Sequence, residues 1–208
     1  MRFSGNARGL RSRTEGLLLY YITDRKQLGE HSSLLSCIRR AASHGVDFIQ
    51  IREKDLADSD LFRLVSRALS AVKGTGCRIL VNGRADVAMA AGAHGVHLPS
   101  GGLEVSDLRP WLPRGFLVGV SAHSLRDAMR AYAERADYVL LGPVFPTESK
   151  LRYGPPLGVD YLRRVCATVQ LPVFGLGGIG ADRVDMVREA GAAGVAGISL
   201  FQKQKRTG

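Results

Sequence analysis

The chain has 208 residues, enough for one domain with a full core, and its 45% hydrophobic and 23% charged residues suit an ordinary globular protein. No apolar run approaches the roughly 18 residues that a bilayer span requires, so no membrane role is expected. Lys plus Arg 29 against Asp plus Glu 19 gives a net charge of +10, but the cations are dispersed and aromatics reach only 7%, so no nucleic-acid function is expected.

Residues 1–16, MRFSGNARGLRSRTEG, form a basic arm without the apolar stretch of a secretory signal. Cys37, Cys77 and Cys166 are odd in number and lack ligand spacing. Reduced thiols in a cytoplasmic protein are the expectation. From Leu17 onward, short apolar runs alternate with amphipathic stretches. LLLYYIT from Leu17 predicts the first strand, and SLLSCIRRAASHG the first helix. FIQIR from Phe48 is followed by DLFRLVSRALSAVKG, and CRILVN from Cys77 by ADVAMAAGA. GVHL from Gly95 precedes VSDLRPWL, a weak helix interrupted by Pro110. FLVGVSA from Phe116 leads to SLRDAMRAYAERA, and YVLLGP from Tyr138 to DYLRRVCATV. The series closes with PVFGLGG from Pro172, RVDMVREAGA and GVAGISL from Gly194. A tail, 202–208, completes the chain.

Eight alternations of strand and helix, with strands apolar on both faces, imply a parallel sheet covered by helices. Eight is the number that closes a (β/α)8 TIM barrel, and no linker divides residues 17–201, so a single-domain α/β barrel is predicted. A doubly wound open sheet is the alternative.

In a barrel of this kind the chemistry sits at the carboxyl ends of the strands. If the second strand extends that far, alternation puts Gln50, Arg52 and Lys54 on one face, where Arg52 and Lys54 suit a phosphate or pyrophosphate. The alternative for Lys54 is a solvated loop. After the sixth strand, Thr147, Ser149 and Lys150 in PTESK bring two hydroxyls and an ammonium within four residues, an anion clamp or an ordinary surface turn. Gly177 and Gly178 after the seventh strand, with Ile198 and Ser199 after the eighth, stand where such barrels bind phosphate. Ser121 and His123 follow the fifth strand; His123 is either a general acid–base or a solvent-facing residue at a helix start. His31 reads as loop, and His44, His94 and His97 have no second feature in support. No Ser-His-Asp triad, zinc set or Cys-His pair is visible.

With QIREKD, NGR, GVHL, VGVSAHS, ADYVLLGPVFPTESK, PVFGLGGI and GVAGIS in this order, the chain resembles the thiamine phosphate synthase family across residues 17–201. The resemblance implies a TIM barrel and small phosphorylated substrates, with a homo-oligomer left open. Synthases of the family join a pyrimidine methyl pyrophosphate to a thiazole phosphate; the thiazole tautomerases (the TenI-like branch) aromatise a thiazole phosphate carboxylate. By motif, Gln50, Arg52, Lys54 and Asn82 match the pyrimidine and pyrophosphate contacts, with Ser121 and Lys150 on the pyrophosphate side. Thr147, Ser149, Gly178, Ile198 and Ser199 match the thiazole phosphate side. Two aspartates that hold magnesium in the synthases are replaced here by Gly83 and Gly102, and Asp86 and Glu104 fall out of register. Magnesium prefers carboxylate oxygens, whereas tautomerisation needs a phosphate anchor and a proton shuttle. The resemblance therefore implies a cofactor-independent tautomerase with His123 as acid–base catalyst. The alternatives are a magnesium-dependent synthase and a non-catalytic phosphate-binding protein.

Overall fold

A computed structural model describes residues 16–29, 33–147 and 155–202. Eight parallel strands close into a barrel in sequence order: β1 (Leu18–Ile22), β2 (Phe48–Ile51), β3 (Arg78–Asn82), β4 (Gly95–Leu98), β5 (Leu117–Ala122), β6 (Tyr138–Leu141), β7 (Val173–Leu176) and β8 (Gly194–Gly197). Between them run α1 (Leu34–Ser43), α2 (Asp58–Val72), α3 (Ala85–Ala91), α4 (Val105–Leu108), α5 (Leu125–Ala133), α6 (Val159–Thr168) and α7 (Val184–Glu189), and α8 (Ser199–Gln202) follows the last strand. Ring closure joins β1 to β8 with Tyr20 opposite Ala196. The fold is the predicted (β/α)8 barrel. Among the described residues no helix is long and apolar enough to cross a membrane.

Local chemistry explains the boundaries. Ser33 and Ser124 cap α1 and α5 by accepting from the amides of Ser36 and Asp127. Gly92 ends α3 in the left-handed conformation, at φ 72°. The interrupted fourth helix is one short turn, α4, continued by a 3-10 turn at Arg109–Trp111 that contains Pro110. Most strands are shorter than their apolar runs, and for β7 and β8 the reason is visible. β7 stops at Leu176 because Gly177 and Gly178 take φ of 96° and 63°, which no strand accommodates. β8 stops at Gly197, and the carbonyl of Ile198 accepts from the amides of Phe201 and Gln202.

Successive strand residues alternate between two cores. Leu19, Tyr21, Ile49, Ile51, Val81, Val96, Val139 and Val195 face outward into the layer beneath the helices. Tyr20, Ile22, Leu80, Tyr138, Leu140, Phe174 and Ala196 fill the barrel interior. Four inner rings (Tyr20, Phe48, Tyr138 and Phe174) pack with centroids 5.6 to 6.2 Å apart. Facing glycines make room for them. A Cβ at Gly119 would collide with the Tyr138 ring, and one at Gly194 with the Phe174 ring. This aromatic plug closes the barrel below its carboxyl-end mouth, so the polar strand ends stand on a solid floor.

Candidate active site

The floor of the mouth is a hydrogen-bonded chain across six strands. Gln50 Nε2 donates to Asn82 Oδ1 (2.9 Å), and Tyr20 OH donates to Gln50 Oε1 (3.3 Å). Tyr20 and Tyr138 share a 2.9 Å hydroxyl contact, Tyr138 OH lies 3.3 Å from His97 Nδ1, and His97 Nε2 lies 2.9 Å from Ser121 Oγ. Gln50 and His97 are each 2% exposed. Burial, with a smaller contribution from the Arg52 charge, pulls the His97 pKa down to about 3, so the ring is neutral and carries one N–H. Burial likewise raises both tyrosines, which stay protonated.

These counts set a direction. Tyr20 spends its only proton on Gln50, so Tyr138 donates to Tyr20, His97 Nδ1–H donates to Tyr138, and Ser121 donates to His97 Nε2. Ser121 therefore meets a ligand as an acceptor, and Asn82, whose oxygen is occupied, offers its amide protons. Gln50, Asn82 and Ser121 are brought together as expected. His97, Tyr20 and Tyr138 are members that sequence reasoning missed. His97 pairs in register with Asn82, a relation the sequence alone does not carry.

Around this floor stand the charged groups. Arg52 is half-buried and Lys54 exposed at the end of β2, and among the described residues neither is in an ion pair. Glu53, between them, is buried on the opposite side. At the end of β5, His123 Nδ1 lies 2.6 Å from the carbonyl of Gly142. A carbonyl only accepts, so Nδ1 carries a proton and Nε2 is the nitrogen left outside that bond. The His123 amide donates to Asp127 Oδ2 (2.9 Å), fixing the backbone beneath the ring. His123 is exposed, yet its ring is oriented by structure.

The seventh loop packs against the sixth. A Cβ at Gly177 would come within 2.8 Å of Pro143, and one at Gly178 would overlap the Pro146 carbonyl. Phe145 N donates to the Gly177 carbonyl (3.0 Å), and Arg183 Nη1 donates to that of Gly178 (2.7 Å) while its guanidinium lies 4.8 Å from the Phe145 ring centre. The glycines thus carry a packing duty as well as any ligand duty. Thr147 begins the PTESK loop beside them, and Ile198 and Ser199 follow β8. Ser149, Lys150 and His31 lie outside the described residues.

Magnesium, which the family resemblance brings in, can be tested against the residues at the ends of β3 and β4. Gly83 takes φ of 68° with its amide donating to the His97 carbonyl (2.8 Å), and Gly102 donates to the Pro99 carbonyl (3.1 Å). The neighbouring acids are committed elsewhere. Asp86 pairs with Arg84 (2.6 Å), Asp58 also pairs with Arg84, and Glu104 faces Arg130 (3.9 Å). Hydrogen bonds from Arg84 hold the Asp86 carboxyl below the usual range. Among the described residues no three His, Cys, Asp or Glu side chains converge as metal ligands. The donor set does not fit the ion.

A closed parallel barrel with polar and basic groups gathered at its carboxyl-end mouth defines the class: a (β/α)8 barrel of the kind whose sites sit at that end. Residues 19–201 match the family described as thiamine monophosphate synthase, and the chain belongs to it. It is 44% identical over 184 residues to the thiamine-phosphate synthase of Methanoculleus marisnigri, covering 88% of this chain and 87% of that protein. The thiamine-phosphate synthase of Methanoregula boonei is 40% identical over 186 residues, with 89% and 86% covered. Among solved structures, the thiamine phosphate pyrophosphorylase of Pyrococcus furiosus superposes with a TM-score of 0.81 at 29% identity, over 93% of this chain and 91% of that one.

Proposed function

We propose that this member of the thiamine biosynthesis family is a thiazole tautomerase, which moves a proton on a thiazole phosphate carboxylate without help from a metal ion. One observation carries the reading: where carboxylates would hold magnesium stand Gly83 and Gly102, and the nearest acids are engaged by Arg84 and Arg130. Departure of pyrophosphate from a pyrimidine methylene needs its growing charge neutralised, and a carboxylate-held cation ordinarily shares that work. Tautomerisation has no leaving group.

In the proposed step the phosphate docks against Gly177, Gly178, Ile198 and Ser199, with Thr147 and Ser149 alongside and Lys54 or Lys150 offsetting its charge. His123 Nε2 takes a proton from a ring carbon, the electron pair moves into the ring, and the imidazolium returns the proton at the exocyclic position. Nothing is oxidised or reduced, and aromaticity drives the step. The 2.6 Å bond from His123 Nδ1 to the Gly142 carbonyl supports the assignment, because it orients the ring and leaves Nε2 as the nitrogen for the substrate.

A second reading, thiamine phosphate synthase, is favoured by the names of the relatives and by Arg52 and Lys54, which a tautomerase does not require. Incubation with pyrimidine methyl pyrophosphate, thiazole phosphate and magnesium separates the two. The tautomerase releases no pyrophosphate above background; release at every turnover would establish the synthase. Binding of phosphorylated thiazole with neither activity would mark a non-catalytic member.

A further inference from the structure

The basic face of QIREKD is built together with an acidic one. Glu53 is only 5% exposed, and a buried carboxylate is costly unless its oxygens are satisfied. Here they are. Oε1 accepts from Thr23 Oγ1 (2.6 Å), Oε2 accepts from Arg25 Nη1 (3.1 Å), and both oxygens receive the Arg25 amide (3.2 and 3.1 Å). Thr23, fully buried, spends its proton on Glu53 and turns a lone pair to the Arg52 amide (2.9 Å). Asp55, next on the same face, takes Arg25 through both guanidinium nitrogens (2.7 and 2.9 Å) and Lys26 at 2.9 Å. Those bonds hold its carboxyl below the usual range.

The loops after β1 and β2 are therefore one unit, joined through Thr23 and Glu53. Charge is sorted in the segment that follows β2: Glu53 and Asp55 are consumed by Arg25 and Lys26, so neither neutralises the Arg52 and Lys54 that lie between and beside them in sequence. We propose that Glu53 is a positioning residue for the anion site: through Thr23 it fixes the Arg52 backbone, and by engaging Arg25 it keeps Arg52 and Lys54 unpaired for a phosphate-bearing ligand. This rests on the reading that Arg52 and Lys54 bind the anion, whichever reaction follows.

Inorganic pyrophosphate is the probe, titrated calorimetrically into the wild-type protein, Arg52→Met, Glu53→Gln, Thr23→Val and the double variant Arg52→Met/Glu53→Gln. Glutamine turns an amide N–H against groups that already donate, whichever way it is oriented. Loss of charge-assisted contacts should weaken binding in Glu53→Gln by at least about fivefold, with a cooperative melt above the assay temperature. On the Arg52→Met background the same change should cost less than about twofold, because the two act on one contact. Thr23→Val, which leaves the Glu53–Arg25 pair in place, should weaken binding in the same sense, and it carries the test if Glu53→Gln does not fold. Wild-type affinity in Glu53→Gln or in Thr23→Val overturns the proposal, as does an equal loss from Glu53→Gln in both backgrounds. Unchanged affinity in Arg52→Met overturns the anion reading beneath it.

Discussion

Two histidines hold opposite places in this molecule. His123 is exposed, and its ring is oriented by the bond from Nδ1 to the Gly142 carbonyl. His123→Ala should lower tautomerisation by roughly 10²–10⁴-fold, the range of general acid–base groups, and an unchanged rate would remove it from the mechanism. His97 has both nitrogens engaged and is kept neutral by burial, with its pKa near 3 against an ordinary 6.5. The unfolded chain binds this proton first. Stability is undiminished above about pH 6.5 and falls as pH drops from 6.5 towards 3, by at most about 1.4 kcal/mol per unit. His94, largely exposed but with its ring partly desolvated, is also shifted down and adds in the same sense. Urea unfolding at pH 7 and pH 5.5 should show a smaller loss in His97→Gln than in the wild type; equal losses would contradict the buried, neutral assignment.

Among the elements, β5 and β6 show how a small residue serves a large one. Gly119 faces Tyr138 across the strand pair, and a methyl group there would occupy the ring's space. Gly119→Ala should destabilise the fold by about 1–3 kcal/mol, read as a lower thermal midpoint, and should disturb the Tyr138 link between Tyr20 and His97. A midpoint equal to wild type would mean that the plug is loosely packed. The strands themselves were legible in the sequence because both of their faces are buried and so read as continuous apolar runs. Their ends were less so. Hydrophobicity continues through Gly177 and Leu200, while left-handed backbone ends β7 and the carbonyl of Ile198 starts a helix. Gln50, Asn82 and Ser121 could be found because a polar residue at a strand end stands out. Tyr20, Tyr138 and His97 could not, since their contacts depend on which inner residues meet once the barrel closes, and one-dimensional patterning carries no such register.

At the scale of the whole molecule, a barrel of the thiamine monophosphate synthase family carries Arg52 and Lys54 beyond the end of β2, and among its described residues no three His, Cys, Asp or Glu side chains gather as metal ligands. The +10 charge is spread over the chain, so it favours anionic small molecules in general without choosing among them. In the proposed reading the choice is made locally, at Gly83 and Gly102, in favour of proton transfer over pyrophosphate displacement. The most direct measurement is the rate at which chelator-treated protein aromatises the thiazole phosphate carboxylate, taken with and without added magnesium. The account predicts turnover well above the uncatalysed rate and the same in both conditions. No acceleration without magnesium, with pyrophosphate released when magnesium and both synthase substrates are supplied, would contradict it.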